Sequence, residues 1–222
     1  MCGRYVLALN PGEQPEVFDD YSFPLEFAPR YNIAPSQPVL AIPNDGKKRA
    51  DFLVWGLIPA WAKDPSIGNR LINARGETLA ERPAFRGVYK HKRCLIPADG
   101  FYEWKYQTGS KTKLPHFIHM KSGQPFAFAG LWDEWRSADG SAVRSCTIIT
   151  TAPNSLMAAL HNRMPVILRP EHFEEWLDPS ARNPASLEHL IQPFPAERMD
   201  AHPVSTLVNT PANDRAECIA PA

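Results

Sequence analysis

The chain has 222 residues, and its 24 Lys and Arg balance its 24 Asp and Glu, so the formal net charge at pH 7 is zero. A neutral chain is not drawn to nucleic acid by bulk charge, so any contact with DNA must depend on a local basic surface. This length suits one domain with a substantial core, and we expect a single domain over residues 1–222.

Nine stretches rich in β-branched and aromatic residues predict strands. In chain order they are RYVLAL, PVLAI, DFLVWGL, RCLIPA, GFYEWK, HFIHM, FAFAGLW, CTIITT and MPVIL. Four stretches predict short helices: GETLAERPAF, which Pro83 should end or kink, and PNSLMAAL, PEHFEEWL and PASLEHLI, each of which begins at a proline. The 23 prolines are scattered and interrupt long elements. These patterns predict an α+β fold whose mainly antiparallel sheet curls toward a barrel, with short helices packed outside.

The cysteines and histidines do not predict a metal site or a cofactor. The four cysteines are widely spaced and form no CxxC pair, which argues against a zinc ribbon, a redox dithiol or a disulfide framework. His116 and His119 lie three apart in a predicted strand and should point to opposite faces. No signal-peptide pattern or run of ~20 apolar residues is visible, so we expect a cytoplasmic protein with no membrane partner.

Charge is unevenly distributed along the chain. Residues 63–93 contain eight Lys and Arg against three acids, whereas residues 171–200 contain seven acids and two arginines. These segments fit a molecule with one basic face, one acidic face and a local groove that binds anions. Ordinary solvent-exposed faces would give the same numbers of charged residues.

The N-terminal stretch MCGRY raises a chemical possibility. If Met1 is removed, Cys2 carries both a thiol and an α-amine, whose pKa of ~7.7–8.0 leaves a nucleophilic fraction at neutral pH. We expect Arg4 or Arg75 to lower the thiol pKa below its usual ~8.5. Such a residue can trap an aldehyde as a Schiff base that closes to a thiazolidine ring. Position 2 of a protein also tolerates most residues, so Cys2 by itself does not show that the protein traps aldehydes.

Three further segments place reactive side chains beside apolar stretches. LINARGET contains Asn73 and Arg75, and LHNRMPVIL contains His161 and Arg163. Glu103 lies in GFYEWK, where it is either an outward-facing strand residue or a desolvated acid with a raised pKa, suited to proton transfer. A lone histidine such as His161 is more often structural than catalytic, although its ordinary pKa suits proton transfer.

Taken together, motifs along most of the chain resemble the SRAP family, the SOS-response-associated peptidases that shield abasic sites in DNA. The matching stretches are MCGRY, YNIAPSQPV, WGLIPAWA, NARGETLAERPAFR, RCLIPADGFYEWK, FAGLWDEW, TIITTAPN, HNRMPVIL and HPVSTLVN. The resemblance covers about positions 2–215 and implies an SRAP-like fold.

The resemblance also implies a mechanism. The mature N-terminal Cys2 would capture the ring-opened aldehyde of an abasic site in single-stranded DNA as a thiazolidine crosslink. Asn73 would position the sugar and the cysteine, Glu103 would act as acid and base in sugar opening and Schiff-base formation, and His161 would move protons at the sugar oxygen. Accessory removal of Met1 and a lyase activity are compatible with this chemistry.

The same resemblance implies the DNA-binding residues and the partner. Phosphate or DNA contacts would come from Arg4, Asn32, Pro35, Trp55, Gly56, Arg75, Arg86 and Arg163, with base stacking near Trp55. The partner would be single-stranded DNA with an abasic site, including single/double-strand junctions. We expect a monomer that is nucleoid-associated when bound to DNA, or nuclear in a eukaryote.

Two other functions remain open from the residues. A cysteine peptidase could use Cys2 as its nucleophile with Glu103 and His161 assisting, and its strongest form is removal of its own Met1. A non-covalent reader of modified or single-stranded DNA would need Arg75, Arg163 and Trp55 but not Cys2.

Overall fold

A computed structural model describes residues 2–10, 12–106, 109 and 112–222, and these contain thirteen strands and three short α-helices. The strands are β1 Tyr5–Leu7, β2 Arg30–Ile33, β3 Pro38–Pro43, β4 Asp51–Trp55, β5 Asn73–Arg75, β6 Arg93–Ala98, β7 Gly100–Tyr106, β8 Lys113–Met120, β9 Phe126–Arg136, β10 Ala142–Thr151, β11 Met164–Pro165, β12 Ile167–Leu168 and β13 Met199–Pro203. The helices are α1 Arg86–His91, α2 Ser155–Ala158 and α3 Phe173–Leu177. Turns of 3₁₀ helix span Glu16–Phe18, Pro65–Arg70, Gly76–Thr78, Pro170–His172, Pro184–Leu190, Ala196–Arg198, Thr206–Asn209 and Ala216–Cys218.

The centre of the fold is a small barrel made by β4, β3, β6, β9 and β10. Neighbouring strands pair antiparallel, and a parallel pairing of β10 with β4 closes the ring. Every residue of β6 is buried because both of its faces are covered. Gly130 of β9 is required at this point, because a Cβ there would lie 2.8 Å from the sulfur of Cys94. The predicted α+β fold with a curled, mainly antiparallel sheet is confirmed.

A second sheet, in the order β13-β8-β7-β1-β2, packs beside the barrel. One of its faces contributes Phe101 and Ile118 to the main core. The opposite face contributes Tyr102 to a smaller cluster, which is covered by Val208 and Cys218 of the C-terminal segment, residues 204–222. This arrangement places the N-terminal strand β1 between β2 and β7, so both edges of β1 are paired with neighbouring strands.

All nine predicted strand stretches contain strand residues, but the predicted helices need correction. The stretch 76–85 forms a 3₁₀ turn at Gly76–Thr78 and then irregular chain, and the α-helix begins only at Arg86. Pro83 explains this, because proline disfavours helical geometry in the preceding residue and donates no N–H. The segment Pro184–Leu190 is 3₁₀ rather than α-helical.

Within the described residues, no helix is both long and apolar enough to cross a membrane.

Candidate active site

Three of the predicted residues, Cys2, Asn73 and Glu103, lie together in what we call the Cys2 centre. Strand β1 pairs antiparallel with β7, and the N–H of Tyr102 donates to the carbonyl of Arg4 at 3.0 Å. If the pairing is continued by one residue pair beyond Arg4 and Tyr102, the start of the chain lies alongside Glu103. Both Cys2 and Glu103 are buried, with 0% and 3% of their surface exposed.

Asn73 connects a different part of the fold to the same centre. Its strand, β5, pairs parallel with β10, so the barrel fixes its position. The Asn73 side-chain Nδ2 donates to the carbonyl oxygen of Cys2 at 2.8 Å. Its Oδ1 is buried and has no hydrogen-bond partner among the described residues. A buried acceptor of this kind is costly unless a ligand supplies a donor, so Asn73 can hold Cys2 and contact a ligand at once.

The electrostatics of the Cys2 centre differ from the sequence prediction. Burial raises the pKa of the Cys2 thiol, and the nearby negative charge of Glu103 raises it further. The expectation that Arg4 or Arg75 would lower this pKa is therefore wrong. Since the thiol is protonated at neutral pH, a nearby base must remove its proton before the sulfur can attack, and Glu103 is placed to do so.

The guanidinium of Arg4 is turned away from Cys2 toward the C-terminal segment. One nitrogen, Nη1, donates to Asn32 Oδ1 and to the carbonyl of Val208, both at 2.7 Å. Nη2 donates to the carbonyl of Asn209 at 3.3 Å, in an exposed position. Arg4 thus joins β1 to the C-terminal segment, and only its outer edge is open to a phosphate.

Asn32 is fully buried and cannot be a direct DNA contact in this structure. Its Nδ2, which has two hydrogens, lies within hydrogen-bond distance of three carbonyls of the C-terminal segment: Val208 at 3.1 Å, Thr210 at 3.1 Å and Asn213 at 2.8 Å. The prediction of a DNA role for its side chain is corrected to a structural one, because the buried amide is bonded to the C-terminal segment through Nδ2 and to Arg4 through Oδ1.

Trp55 is likewise inside the protein, so its ring cannot stack on a base as predicted. It is 0% exposed, and its indole N–H donates to the carbonyl of Ile72 at 2.9 Å. Gly56 has a φ of +136° and lies so close to Gly68 that a Cβ would meet the Gly68 oxygen at 2.7 Å. Gly56 is therefore required by backbone packing, which is a structural reason for this glycine.

The surface tryptophan of this region is Trp61, which sequence reasoning did not single out. It is 60% exposed, and it borders a cleft that also includes Gly87 of α1. Arg86, the first residue of α1, is exposed and directly precedes Gly87 in the chain. An exposed ring on a cleft whose other wall carries a neighbouring cation is a feature that single-strand binding surfaces use.

Pro35 is half-buried and precedes exposed Ser36, whose φ of 68° marks a tight turn.

The second group of predicted residues, which we call the arginine rim, consists of Arg75 and Arg163 with Glu77. Arg75 is exposed and pairs in register with Thr150 of β10. Arg163 makes a bidentate ion pair with Glu77, and its Nη2 also donates to the carbonyl of Thr150 at 2.7 Å. The hydrogen bond from Arg163 lowers the pKa of Glu77. Because Arg75 follows Asn73 by two residues, the rim adjoins the Cys2 centre along β5.

His161 is tied to this rim through the backbone. It follows α2, and its own N–H donates to the carbonyl of Met157 at 2.7 Å. His161 Nδ1 lies 3.0 Å from the N–H of Arg163 and 3.3 Å from the carbonyl oxygen of Arg163. These backbone contacts orient the imidazole beside the rim.

The chain is similar to one protein family and to several named proteins. The model of the family described as SOS response associated peptidase (SRAP) matches residues 1–211. The chain is 51% identical over 222 residues to the abasic site processing protein YoaM of Bacillus subtilis, covering 99% of this chain and 97% of YoaM. It is 32% identical over 237 residues to the abasic site processing protein HMCES of Rattus norvegicus, covering 90% of this chain and 67% of HMCES.

A solved structure confirms the fold at the level of the backbone. A crystal structure of a protein from Bacteroides thetaiotaomicron superposes with a TM-score of 0.86 at 28% identity, covering 100% of both chains. The match over nearly the whole sequence and the shared architecture establish that the chain belongs to the SRAP family.

Proposed function

We propose that this protein captures the aldehyde of an abasic site in single-stranded DNA as a thiazolidine crosslink on Cys2. The observation that carries the proposal is the Cys2 centre, where a buried cysteine at position 2 is held by Asn73 next to a buried carboxylate. The names of the relatives from Bacillus subtilis and Rattus norvegicus, abasic site processing proteins, support abasic DNA as the substrate.

The first step needs a free amine and an open sugar. Removal of Met1 converts the amide nitrogen of Cys2 into an α-amine and must also give the DNA access to this buried residue. A base, Glu103, takes the proton of the sugar C1′ hydroxyl while the C1′–O4′ bond breaks. A protonated His161 gives a proton to O4′ and is left as the neutral imidazole. The amine then adds to the aldehyde carbon, and Glu103 returns its proton to the hydroxyl that leaves as water, so that a protonated Schiff base and an ionised Glu103 remain.

The second step closes the ring. Glu103 accepts the thiol proton, the sulfur forms a bond to the Schiff-base carbon, and the electron pair of the C=N bond returns to nitrogen. The net reaction joins one amine, one thiol and one aldehyde with loss of one water. A raised thiol pKa does not prevent this, because the base is adjacent and ring closure is intramolecular.

Asn73 acts as a positioning residue in this scheme, and the arginine rim binds DNA. The Nδ2 of Asn73 holds the Cys2 carbonyl, while its buried Oδ1 remains able to accept a hydrogen bond from the sugar. Arg75, Arg163 and the exposed Arg86 contact phosphates, so affinity depends on salt. We propose that the chain acts as one domain over residues 1–222, as a cytoplasmic monomer, on single strands and on single/double-strand junctions.

A peptidase that cleaves other proteins is less well supported. Its nucleophile would be the Cys2 thiol, which is fully buried and has a raised pKa, whereas thiol proteases present an accessible thiolate. Self-removal of Met1 needs no access for an external substrate and is compatible with the crosslinking scheme. A non-covalent DNA reader would leave the buried contact between Asn73 and Cys2 without a purpose.

The test is a denaturing gel of the protein, with Met1 removal verified by mass, mixed with single-stranded DNA that carries one abasic site. We expect a heat-stable band with the wild type and none with Cys2→Ser. Cys218→Ser is the matched control, because Cys218 is also buried but lies in the smaller cluster beside β7. A band that persists in Cys2→Ser, or that forms equally on intact DNA, contradicts the proposal. Cleavage of peptides without DNA would favour the peptidase.

A further inference from the structure

Three ligating side chains converge on a surface far along the chain from the Cys2 centre. They are His172, Glu175 and His189, and their nearest ligand atoms all lie within 4.8 Å of one another. His172 Nδ1 is 3.5 Å from Glu175 Oε2, and His189 Nε2 is 3.3 Å from Glu175 Oε1. Each imidazole therefore faces one oxygen of the same carboxylate.

The two His–Glu separations, each measured to a different oxygen of Glu175, are close to the ligand spacing around a four-coordinate metal. With metal–nitrogen and metal–oxygen bonds of about 2.0–2.2 Å, ligand atoms at the corners of a tetrahedron lie about 3.4 Å apart. A direct N–H···O bond prefers a shorter distance of about 2.9 Å. Two neutral imidazoles and one carboxylate form a ligand set that zinc uses when its fourth position is open to water.

The backbone that carries the three ligands is firmly anchored. His172 ends a 3₁₀ turn and directly precedes Phe173, while Glu175 directly precedes Trp176, and both aromatic rings are buried. His189 directly precedes the buried Leu190. A metal held here would connect α3 to the 3₁₀ segment Pro184–Leu190.

The surroundings suit a cation that exchanges with solvent. His172 and His189 border a cleft of about 190 Å³ that also includes Gln192 and Arg169. Arg169 would repel a cation, but its charge is partly offset by Glu171 at 3.8 Å. The segment 171–200 contains seven acids and two arginines, so the local charge favours a cation.

We propose that His172, Glu175 and His189 bind one Zn²⁺ per chain, with water as the fourth ligand, and that the ion fastens the 3₁₀ segment Pro184–Leu190 to α3. This site is separate from the crosslinking chemistry of Cys2. Binding requires unprotonated imidazoles and therefore weakens in acid.

The experiment measures zinc binding by equilibrium dialysis of metal-freed protein against ZnCl₂. All variants carry Cys2→Ser, so that the thiol at the other site cannot contribute. We expect one zinc per chain in this background and at least tenfold weaker binding after His189→Ala. His189 has a side chain 55% exposed, so its removal disturbs little packing. Glu175→Gln keeps the side-chain shape and should weaken binding similarly, whereas exposed His91→Ala is the control and should bind as the parent does.

Two further readouts separate a metal site from a surface ion pair. Co²⁺ should give the visible absorption of a four-coordinate ion, and this absorption should disappear in His189→Ala. Zinc should raise the melting temperature of the parent but not of His189→Ala, because only binding to the folded state stabilises it. Equal zinc binding in parent, His189→Ala and Glu175→Gln, or no binding below millimolar zinc, overturns the proposal and leaves ordinary His–Glu ion pairs.

Discussion

The Cys2 centre and the arginine rim lie next to each other along β5 but are built by opposite physical rules. In the centre, Cys2 and Glu103 are withdrawn from water, and a neutral hydrogen bond from Asn73 fixes the geometry. At the rim, full charges meet near solvent, and the Glu77 side chain is 53% exposed. Interactions in the centre depend on burial and on proton positions, whereas ion pairs at the rim are weakened by salt. In the proposed function, the centre supplies the chemistry and the rim supplies the affinity for DNA.

The largest effect should come from removing the base of the centre. We expect Glu103→Gln to slow crosslink formation by about 10²–10⁴-fold, the usual contribution of a positioned acid or base, while DNA affinity changes little. The measurement is the single-turnover rate of the heat-stable band at saturating abasic DNA. A similar loss in non-covalent affinity for intact DNA would show that Glu103 acts in binding, and the division between centre and rim would fail.

Asn73 tests whether positioning alone accounts for part of the rate. Asn73→Ala removes the donor to the Cys2 carbonyl, and we expect about 10²-fold slower crosslinking, since a small misplacement of reacting groups has effects of this size. Asn73→Asp keeps the shape but loses the donor when ionised, so it should be as slow. The two variants should leave the salt dependence of DNA binding unchanged, and a rate within about twofold of the wild type in either one contradicts the positioning role.

Much of the fold could be predicted from the sequence because its strands are dense in β-branched and aromatic residues. Sequence patterns missed β2, β5 and β13, which span Arg30–Ile33, Asn73–Arg75 and Met199–Pro203. β2 and β5 are short, and β5 is fixed by its parallel pairing with the longer β10 rather than by its own pattern. The prediction of a helix over residues 76–85 was wrong. The composition of this stretch favours a helix, but Pro83 interrupts helical geometry.

The site could be predicted only in part, because its contacts join residues far apart in the chain. The register of β1 on β7 brings Cys2 beside Glu103, and local patterns carry no information about that register. The thiol pKa was predicted in the wrong direction because sequence shows neighbouring charges but not burial. Trp55 and Trp61 look alike in sequence, and only the structure shows that the first is buried and the second exposed.

The rim should give a smaller effect that depends on salt. We expect Arg163→Gln to weaken binding of single-stranded DNA by about 10- to 100-fold at low salt, since hydrogen bonds to charged groups contribute about 1.5–3 kcal/mol. It should also reduce the slope of log affinity against log salt by about 0.7. Glu77→Gln should strengthen binding a few-fold, because it releases Arg163 from an ion pair at a partly exposed position.

Titrating DNA in a salt series measures these quantities. Arg136→Gln is the matched control, because Arg136 is likewise paired with an acid, Glu134. If Glu77→Gln weakens binding, the ion pair organises the rim instead of competing with DNA, and the assignment of Arg163 to phosphate contact would need revision.

The smallest effect concerns stability at alkaline pH, where the buried interior and the rim should again differ. Burial raises the pKa of the Cys146 thiol, as it does for Cys2. The unfolded thiol loses its proton above about pH 8.5 while the folded one keeps it, so stability is complete below that pH and falls as pH rises. Cys146→Ala removes this linkage, and we expect the unfolding free energy to fall less steeply, by about 1.4 kcal/mol per pH unit between about pH 9.5 and 10.5.

Urea unfolding at several pH values measures the slope, and Glu77→Gln should leave it unchanged because a carboxyl does not titrate there. An unaltered slope in Cys146→Ala would mean that the interior is more open to water than its burial indicates, which would also weaken the argument that Cys2 needs an adjacent base.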